Sequence, residues 1–555
     1  MNKILGFALL GLVGFAAFAV FLSPVHMAPK FGASQSLIDL NRPVTFGITF
    51  YLFAALSLFT GFYLAKEKSR FTLVPIIIYS LIFLGFWTFR SPLPLTTEAP
   101  TNMGLLKDIL GTGQLNLSLG YLQYPYIFLF ASALNSVTGA SLLNTVVTME
   151  VIRLVVFATL FYLVPINLGY SRVVGAMSAF LATQCDVMLT RMPAFHAEVF
   201  GLVFFLFGML VVVRRGWSKS SYTAFMLIAL AASMSYALSA AMLFAAVGGL
   251  AIWERTNRNE HRKISFHMLI TLSIVFAGWN LLAATQIPNA LSTFQYEITQ
   301  LFNFGHYYFL STNITTNTLT GPVWISYSTL VSLGVLFGIP LLFVARDFVT
   351  KSAGRADFLV VSLLFAILPL FVLQGGAEAE RILYYVAPFS APILVGKLVW
   401  GRHRVGWVHI LIFVIITLSF PNFLAYNVQA NSNANYPQGL VAGQYLVSFA
   451  PENTLPLYLG SGVIGVPGSF TNSHQTVTPD FALVMSENLQ PTISSSLDDF
   501  KSQTGSLLAI SPSFYLSIDF VYGVNESKSV SSFINSVSEG ENMVYDNGYT
   551  QLYLS

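Results

Sequence analysis

Thirteen apolar runs constrain the fold of this chain more than any other feature, because each comes close to the ~20 residues that a helix needs to cross a bilayer. Charged side chains make up only 9% of the 555 residues, whereas a soluble chain carries about a quarter. The sequence therefore predicts an all-α polytopic membrane protein and excludes a soluble globular enzyme. The predicted spans are 4–22, 45–65, 71–89, 146–166, 173–190, 197–213, 220–236, 239–253, 265–284, 322–345, 357–373, 382–397 and 406–424.

The basic residues predict the orientation of these spans. We interpret residues 220–253 as a tight hairpin that turns near Tyr236, and the first span as a retained anchor. The spans then alternate so that 18 of the 27 Lys and Arg residues fall on one side. Basic residues concentrate on the cytoplasmic side of a membrane, which accounts for these clusters without a nucleic-acid partner. A plasma membrane location is expected, with the segments 90–145, 285–321 and 425–555 outside the cell.

The chain beyond residue 425 differs in composition from the rest, since residues 426–555 hold 2 Lys and 10 Asp or Glu. Short apolar segments at 455–459, 481–485 and 507–510 predict strands, and Asn547-Gly548 predicts a hairpin turn. We therefore expect a small extracytoplasmic α/β domain after the membrane body. The predicted division is 1–70 for two additional N-terminal helices, 71–425 for the body with outer loops 90–145 and 285–321, and 426–555 for the external domain.

Ionisable side chains gather near the predicted outer face. Glu98 follows the third span, and Arg191, His196 and Glu198 lie in one short turn between two spans. Arginine neutralises phosphate, and a carboxylate can deprotonate an incoming hydroxyl or amide. This set predicts a reaction on a lipid-borne phosphate. The candidate residues are Glu98, Asp108, Asp186, Arg191, His196, Glu198, His306 and Arg381.

Two segments of the first outer loop predict helices that lie at the membrane surface. Residues 103–110 place apolar side chains on one helical face and Lys107 and Asp108 on the other. Residues 121–130 are apolar but too short to cross, and they contain tyrosines, which membrane interfaces favour. Both segments are therefore expected to lie at the outer interface of the membrane.

The order of these features resembles the GT-C superfamily of polyprenyl-phosphate-sugar-dependent glycosyltransferases. That group includes oligosaccharyltransferase catalytic subunits, protein mannosyltransferases and lipid A aminoarabinose transferases, and the chain is most similar to archaeal members. The resemblance covers most of 71–425. Glu98 stands where the family usually has aspartate, and His196-Ala-Glu198 stands where oligosaccharyltransferases carry Asp-x-Glu. The motifs are the third span, Thr96-Thr-Glu98, residues 103–110, Tyr124-Pro-Tyr126 and Val137-Thr-Gly139.

The resemblance implies an inverting transfer of a sugar from a polyprenyl phosphate to a glycan, lipid or protein acceptor at the outer face. Glu98 would be the catalytic base. Glu98, His196 and Glu198 would hold a divalent metal (Mg²⁺, Mn²⁺ or Zn²⁺), the one cofactor considered. Asp108 and Asp186 are further candidates. The residues that would bind the donor phosphate are Arg381, Arg191 and His306.

Two other classes of function stay open. The chain could be a transporter or flippase of lipid-linked sugars, or a non-catalytic subunit of a surface-glycan assembly complex. The lack of internal repeats and the few charges deep in the spans weigh against a transporter. Single residues also have plainer explanations. Glu98 would then be a solvated loop carboxylate, His196 a polar group among lipid headgroups, and Arg381 a partner of Glu378 or Glu380.

Overall fold

The computed structural model describes most of the predicted membrane body and four short strands of the tail. The side chains of Glu98 and Arg381 lie outside what it describes, although the backbone of both is included. The described residues are 3–22, 43–90, 98–115, 120–185, 195–214, 219–256, 266–282, 331–374, 379–400, 404–432, 456–459, 507–510, 542–546 and 551–554.

The described part of the body is helical. A π-helical turn, Gly334–Gly338, leads directly into the twelfth helix. The helices are α1 Lys3–Leu22, α2 Pro43–Lys66, α3 Leu73–Arg90, α4 Glu98–Thr112, α5 Tyr126–Thr138, α6 Leu142–Leu168, α7 Arg172–Ala182, α8 Ala197–Val213, α9 Lys219–Ser235, α10 Ala237–Thr256, α11 Phe266–Leu282, α12 Ile339–Val349, α13 Arg355–Gln374, α14 Ala379–Trp400 and α15 Arg404–Ser432.

Each of the thirteen predicted spans coincides, wholly or in part, with one of these helices. Within the described residues, five helices are long and apolar enough to cross a membrane: α1, α2, α6, α10 and the helix Val331–Val349 that contains α12. These apolar helices are those of a membrane protein. The count of thirteen crossings remains a prediction.

Local sequence explains where the helices turn. The Ser141 hydroxyl accepts a hydrogen bond from the Asn144 N–H at 3.3 Å and so caps α6 at its start. Gly169, with a φ of 106°, ends the same helix in the left-handed conformation that glycine adopts without strain. The Ser171 hydroxyl then accepts from the Val174 N–H at 3.3 Å and starts α7. A helix of 27 residues and one of 11 residues are thus joined by a turn of three residues.

The predicted hairpin is confirmed, because α9 ends at Ser235, α10 begins at Ala237, and Tyr236 alone lies between them. This hairpin packs tightly on α8. A Cβ atom at Gly201 would collide with the Ser239 side chain and lie 3.0 Å from the Cβ of Tyr236. Glycine at this position therefore sets the close approach of α8 and α10.

The two surface helices form a separate cluster with the first turns of α6 and α8. In α4, Leu106 and Ile109 are buried whereas Lys107 is exposed, so the predicted amphipathic face is confirmed. The second helix begins later than residue 121, because a 3₁₀ turn, Gly120–Gln123, precedes α5. Buried members of this cluster are Met103, Leu106, Ile127, Phe128, Val146, Met149, Phe195, Ala197 and Phe200.

Four strands of the tail form one sheet in the order β1-β2-β4-β3. The parallel pair β1 and β2 confirms the strands predicted near 455–459 and at 507–510. Strand β4 pairs antiparallel with both β2 and β3, and the pairing with β3 confirms the hairpin around Asn547-Gly548. The predicted strand at 481–485 lies outside the described residues, and the α/β domain remains a prediction. The strands are β1 Pro456–Leu459, β2 Leu507–Ile510, β3 Asn542–Asp546 and β4 Gln551–Leu554.

Candidate functional site

His196 caps the start of α8 and lies against Glu198. Its Nδ1 accepts a hydrogen bond from the Glu198 N–H at 3.2 Å, and the same nitrogen lies 3.6 Å from a Glu198 carboxylate oxygen. His196 is 7% exposed and Glu198 is fully buried. Nδ1 is therefore the acceptor of this cap. The burial of the ring differs from that of a polar group exposed among headgroups.

The first turn of α4 is bonded to the start of α8. The buried Asn102 side chain donates a hydrogen bond from Nδ2 to the Phe195 carbonyl oxygen at 2.7 Å. Glu98 opens α4 one helical turn before Asn102, and residues four apart lie on the same face of a helix. The backbone of Glu98 therefore lies one helical turn from the contact between α4 and the start of α8.

Aromatic rings extend this site toward the end of α11. The Tyr236 ring lies 6.5 Å from the His196 ring and 6.0 Å from the Tyr124 ring, centroid to centroid. The Tyr124 hydroxyl donates to Oδ1 of Asn280 at 3.1 Å. Burial raises the pKa of Tyr124 well above its usual value, so this hydroxyl remains a donor at neutral pH.

The start of α14 is bonded to the same region. The hydroxyls of Ser239 and Tyr385 lie 2.5 Å apart in a buried hydrogen bond, and the Ser239 N–H donates to the Tyr236 carbonyl at 3.1 Å. Arg381 lies one helical turn before Tyr385 on α14. We call this region, which joins the starts of α4, α8, α10 and α14, the His196 end of the bundle.

The predicted metal site is not completed by the described side chains. Those side chains contain no group of three or more His, Cys, Asp or Glu residues that could hold an ion. His196 Nδ1 accepts the Glu198 N–H in the cap of α8. The third predicted ligand, Glu98, has its side chain outside the described part of the chain. Metal binding therefore remains a prediction.

The remaining predicted residues divide into two groups. Arg191, Asp186 and His306 lie outside the described residues. Asp108 is partly exposed and lies beside exposed Lys107 on α4. It follows Asn102 by six residues, which places it on a different face from the one that contacts Phe195.

The sequence analysis missed a buried charge pair in α6. The Arg153 guanidinium donates to a carboxylate oxygen of Glu150, and both side chains are at most 2% exposed. A signal was available, because opposite charges three residues apart inside a predicted span are unusual and ionisable groups in spans are functional candidates. The spans thus contain more buried charge than the sequence predicted.

No protein-family model matches the sequence, and no curated protein matches it. The chain is similar to the crystal structure of ArnT from Cupriavidus metallidurans bound to undecaprenyl phosphate, with 10% identity and a TM-score of 0.46, over 86% of this chain and 97% of that chain. The apo state of the same protein gives 10% identity and a TM-score of 0.44 over the same shares.

A third similar structure is the archaeal oligosaccharyltransferase AglB from Archaeoglobus fulgidus in complex with an inhibitory peptide and a dolichol-phosphate. It shares 10% identity with this chain, with a TM-score of 0.46, over 82% of this chain and 71% of that chain. Oligosaccharyltransferases are among the proteins that the sequence resembles. Identities and TM-scores this low assign none of these activities to the chain.

Proposed function

We propose that the protein is a membrane glycosyltransferase that moves a sugar from a polyprenyl-phosphate donor to an acceptor at the outer face of the plasma membrane. One observation carries the proposal. The helix starts that bear Glu98, His196 and Arg381 are joined at one end of the bundle through buried hydrogen bonds and the contact between the His196 and Tyr236 rings. The resemblance of the sequence to the GT-C superfamily adds to it. The acceptor would be a glycan, a lipid or a protein.

Each residue would have a distinct part in an inverting displacement. Glu98 takes the proton of the acceptor hydroxyl or amide as that atom attacks the anomeric carbon. The bond between that carbon and the phosphate oxygen breaks, and polyprenyl phosphate leaves without needing a general acid. Positive charge near the phosphate stabilises the departing anion, and Arg381 would supply it with Arg191 and His306. His196 would donate its Nε2 proton as a hydrogen bond to the donor.

An apolar cavity beside this end suits the lipid part of such a donor. It has a volume of about 380 Å³ and lies between α5 and α9. Tyr124 lies just before α5 and Tyr236 just after α9, so both helices adjoin the site. An isoprenoid chain is purely apolar, so its burial here would be driven by the hydrophobic surface it covers. The lining residues are Tyr126, Leu129, Phe130, Leu227, Leu230, Ala231 and Met234.

The proposal is tested by transfer of radiolabelled sugar from polyprenyl-phosphate donors by the purified full-length protein. We expect turnover in the wild type and its loss in Glu98→Gln, because the amide cannot accept the proton. The matched control is Glu67→Gln, which neutralises an exposed carboxylate after α2 and should leave turnover unchanged.

The same assay separates the proposal from its competitors. Full turnover in Glu98→Gln would contradict the role given to Glu98. No turnover with any donor, together with saturable donor binding, would favour a transporter or a non-catalytic subunit. A parallel measurement with a chelator decides whether turnover depends on a divalent metal.

A further inference from the structure

The Glu150 and Arg153 pair in α6 has no part in the reaction described above. Both side chains are buried inside a predicted membrane span, where ions are expensive to accommodate. Intramembrane ionisable groups generally serve a substrate or ion site. Whether this pair could serve a substrate site depends on how close it lies to the His196 end.

The contacts of Arg153 place the pair beside the start of α8. Its guanidinium lies 5.8 Å from the ring centroid of Phe200, three residues into α8. One helical turn before Arg153 in α6, Met149 belongs to the same buried cluster as Phe195 and Ala197. Glu150, three residues before Arg153, therefore lies within one helical turn of a side chain that contacts the first turn of α8.

One oxygen of Glu150 is left for a ligand. The Oε2 atom accepts from Arg153, whereas the Oε1 atom is buried and has no hydrogen-bond partner among the described residues. Buried carboxylate oxygens are rarely left without a partner, because the lost hydration is not replaced. A ligand hydroxyl would satisfy this atom through a strong, charge-assisted hydrogen bond.

We propose that Glu150 binds the sugar of the donor by accepting a hydrogen bond from one of its ring hydroxyls. Arg153 is a positioning residue, because it holds the carboxylate in place through Oε2 and packs on Phe200. This inference rests on the proposed function and adds to it that the ligand at the first turn of α8 is a hydroxylated sugar.

The test compares the affinities of two kinds of ligand for the full-length protein in lipid nanodiscs. One is a bare polyprenyl phosphate, and the other is the same lipid carrying mannose, glucose or N-acetylglucosamine. We expect the wild type to bind at least one sugar-bearing lipid more tightly than the bare lipid. Glu150→Gln should reduce that preference about tenfold or more, as expected for a lost bond to a charged acceptor.

Two further variants keep the result interpretable. Glu150→Gln leaves Arg153 without its carboxylate, so Glu150→Gln/Arg153→Gln removes both charges and should fold while losing the sugar preference equally. The control is Asp347→Asn, which breaks the pair between buried Asp347 of α12 and partly exposed Lys397 of α14. It should lower stability and leave the preference for the sugar-bearing lipid unchanged.

The inference is overturned if the wild type shows no preference for any sugar-bearing lipid, or if both folded Glu150 variants keep the preference of the wild type. Its failure differs from a failure of the proposed function. Turnover with an unchanged preference in the variants contradicts the sugar contact alone. A Glu150-dependent preference without any turnover contradicts the glycosyltransferase alone.

Discussion

The two ring nitrogens of His196 would have separate tasks in the proposed reaction. Nδ1 accepts the Glu198 N–H and so caps α8, while Nε2 would donate to the sugar donor. Capping alone does not need an imidazole, since asparagine is among the best residues at a helix N-cap. A substitution can therefore remove the ring proton and keep the cap.

Replacement of His196 by asparagine tests this separation. We expect His196→Asn to keep the free energy of unfolding within about 1 kcal/mol of the wild type, because the amide oxygen can accept the Glu198 N–H. The rate of sugar transfer should fall at least tenfold, because the donor loses a hydrogen bond. Both are measured on purified protein by thermal unfolding and by the transfer assay. An asparagine variant with the full rate would mean that His196 only caps α8.

At the scale of single residues, the sequence predicted only part of the site. The ion pair Glu150–Arg153 was visible as two charges within an apolar run, whereas the candidate residues predicted from the sequence lie in outer loops or near the ends of spans. The bond from Asn102 to the Phe195 carbonyl could not be predicted, because the residues are 93 positions apart. Hydrophobic periodicity reports which face of a helix is buried and not which other helix covers it.

At the scale of helices, Gly201 makes the contact between α8 and α10 possible. The Ser239 hydroxyl that fills the space beside Gly201 also bonds to Tyr385. The position of α14 relative to α8 is therefore set through one small residue. Sequence patterns gave the extent of these helices and the turn at Tyr236, but not this contact, since a glycine in an apolar run has several explanations.

The effect of a single methyl group at this contact is measurable. We expect Gly201→Ala to destabilise the protein by about 1–3 kcal/mol and to lower transfer, because Ser239 must move. The control is Gly248→Ala in α10, where an added Cβ meets nothing within 4 Å. That variant should be stable or slightly more stable, because alanine favours helix over glycine. Equal melting temperatures of the two variants would contradict the close packing of Gly201 against Ser239.

At the scale of the whole molecule, a buried polar network joins helices far apart in sequence. The Tyr79 hydroxyl of α3 bonds to the Ser419 hydroxyl of α15 at 2.8 Å. Gln184, after α7, donates to Ser419 at 3.1 Å and accepts from Asn422 at 3.2 Å. Polar bonds between spans stabilise helix packing where the hydrophobic effect contributes little. The network thus fixes α15, the helix that leads to the tail, against the body.

The predicted orientation of the molecule can be measured with single cysteines. Gln114, after α4, and Ser352, after α12, are both exposed, and the native Cys185 is buried. A membrane-impermeant maleimide applied to intact cells should label Gln114→Cys and leave Ser352→Cys unlabelled, because basic residues predict that α4 lies outside. Labelling of Ser352→Cys after permeabilisation is the control. The reverse pattern would place the His196 end in the cytoplasm and overturn the proposed site of transfer.

The single residue between α9 and α10 also limits how the length of this chain can change. An α-helix turns by about 100° per residue. One residue inserted beside Tyr236 would rotate one arm of the hairpin against the other, and Ser239 would leave Gly201 and Tyr385 at the same time. Insertions and deletions among homologous chains should therefore occur in other connections and not in this one. The hairpin would then serve as a segment without gaps when distant relatives are aligned.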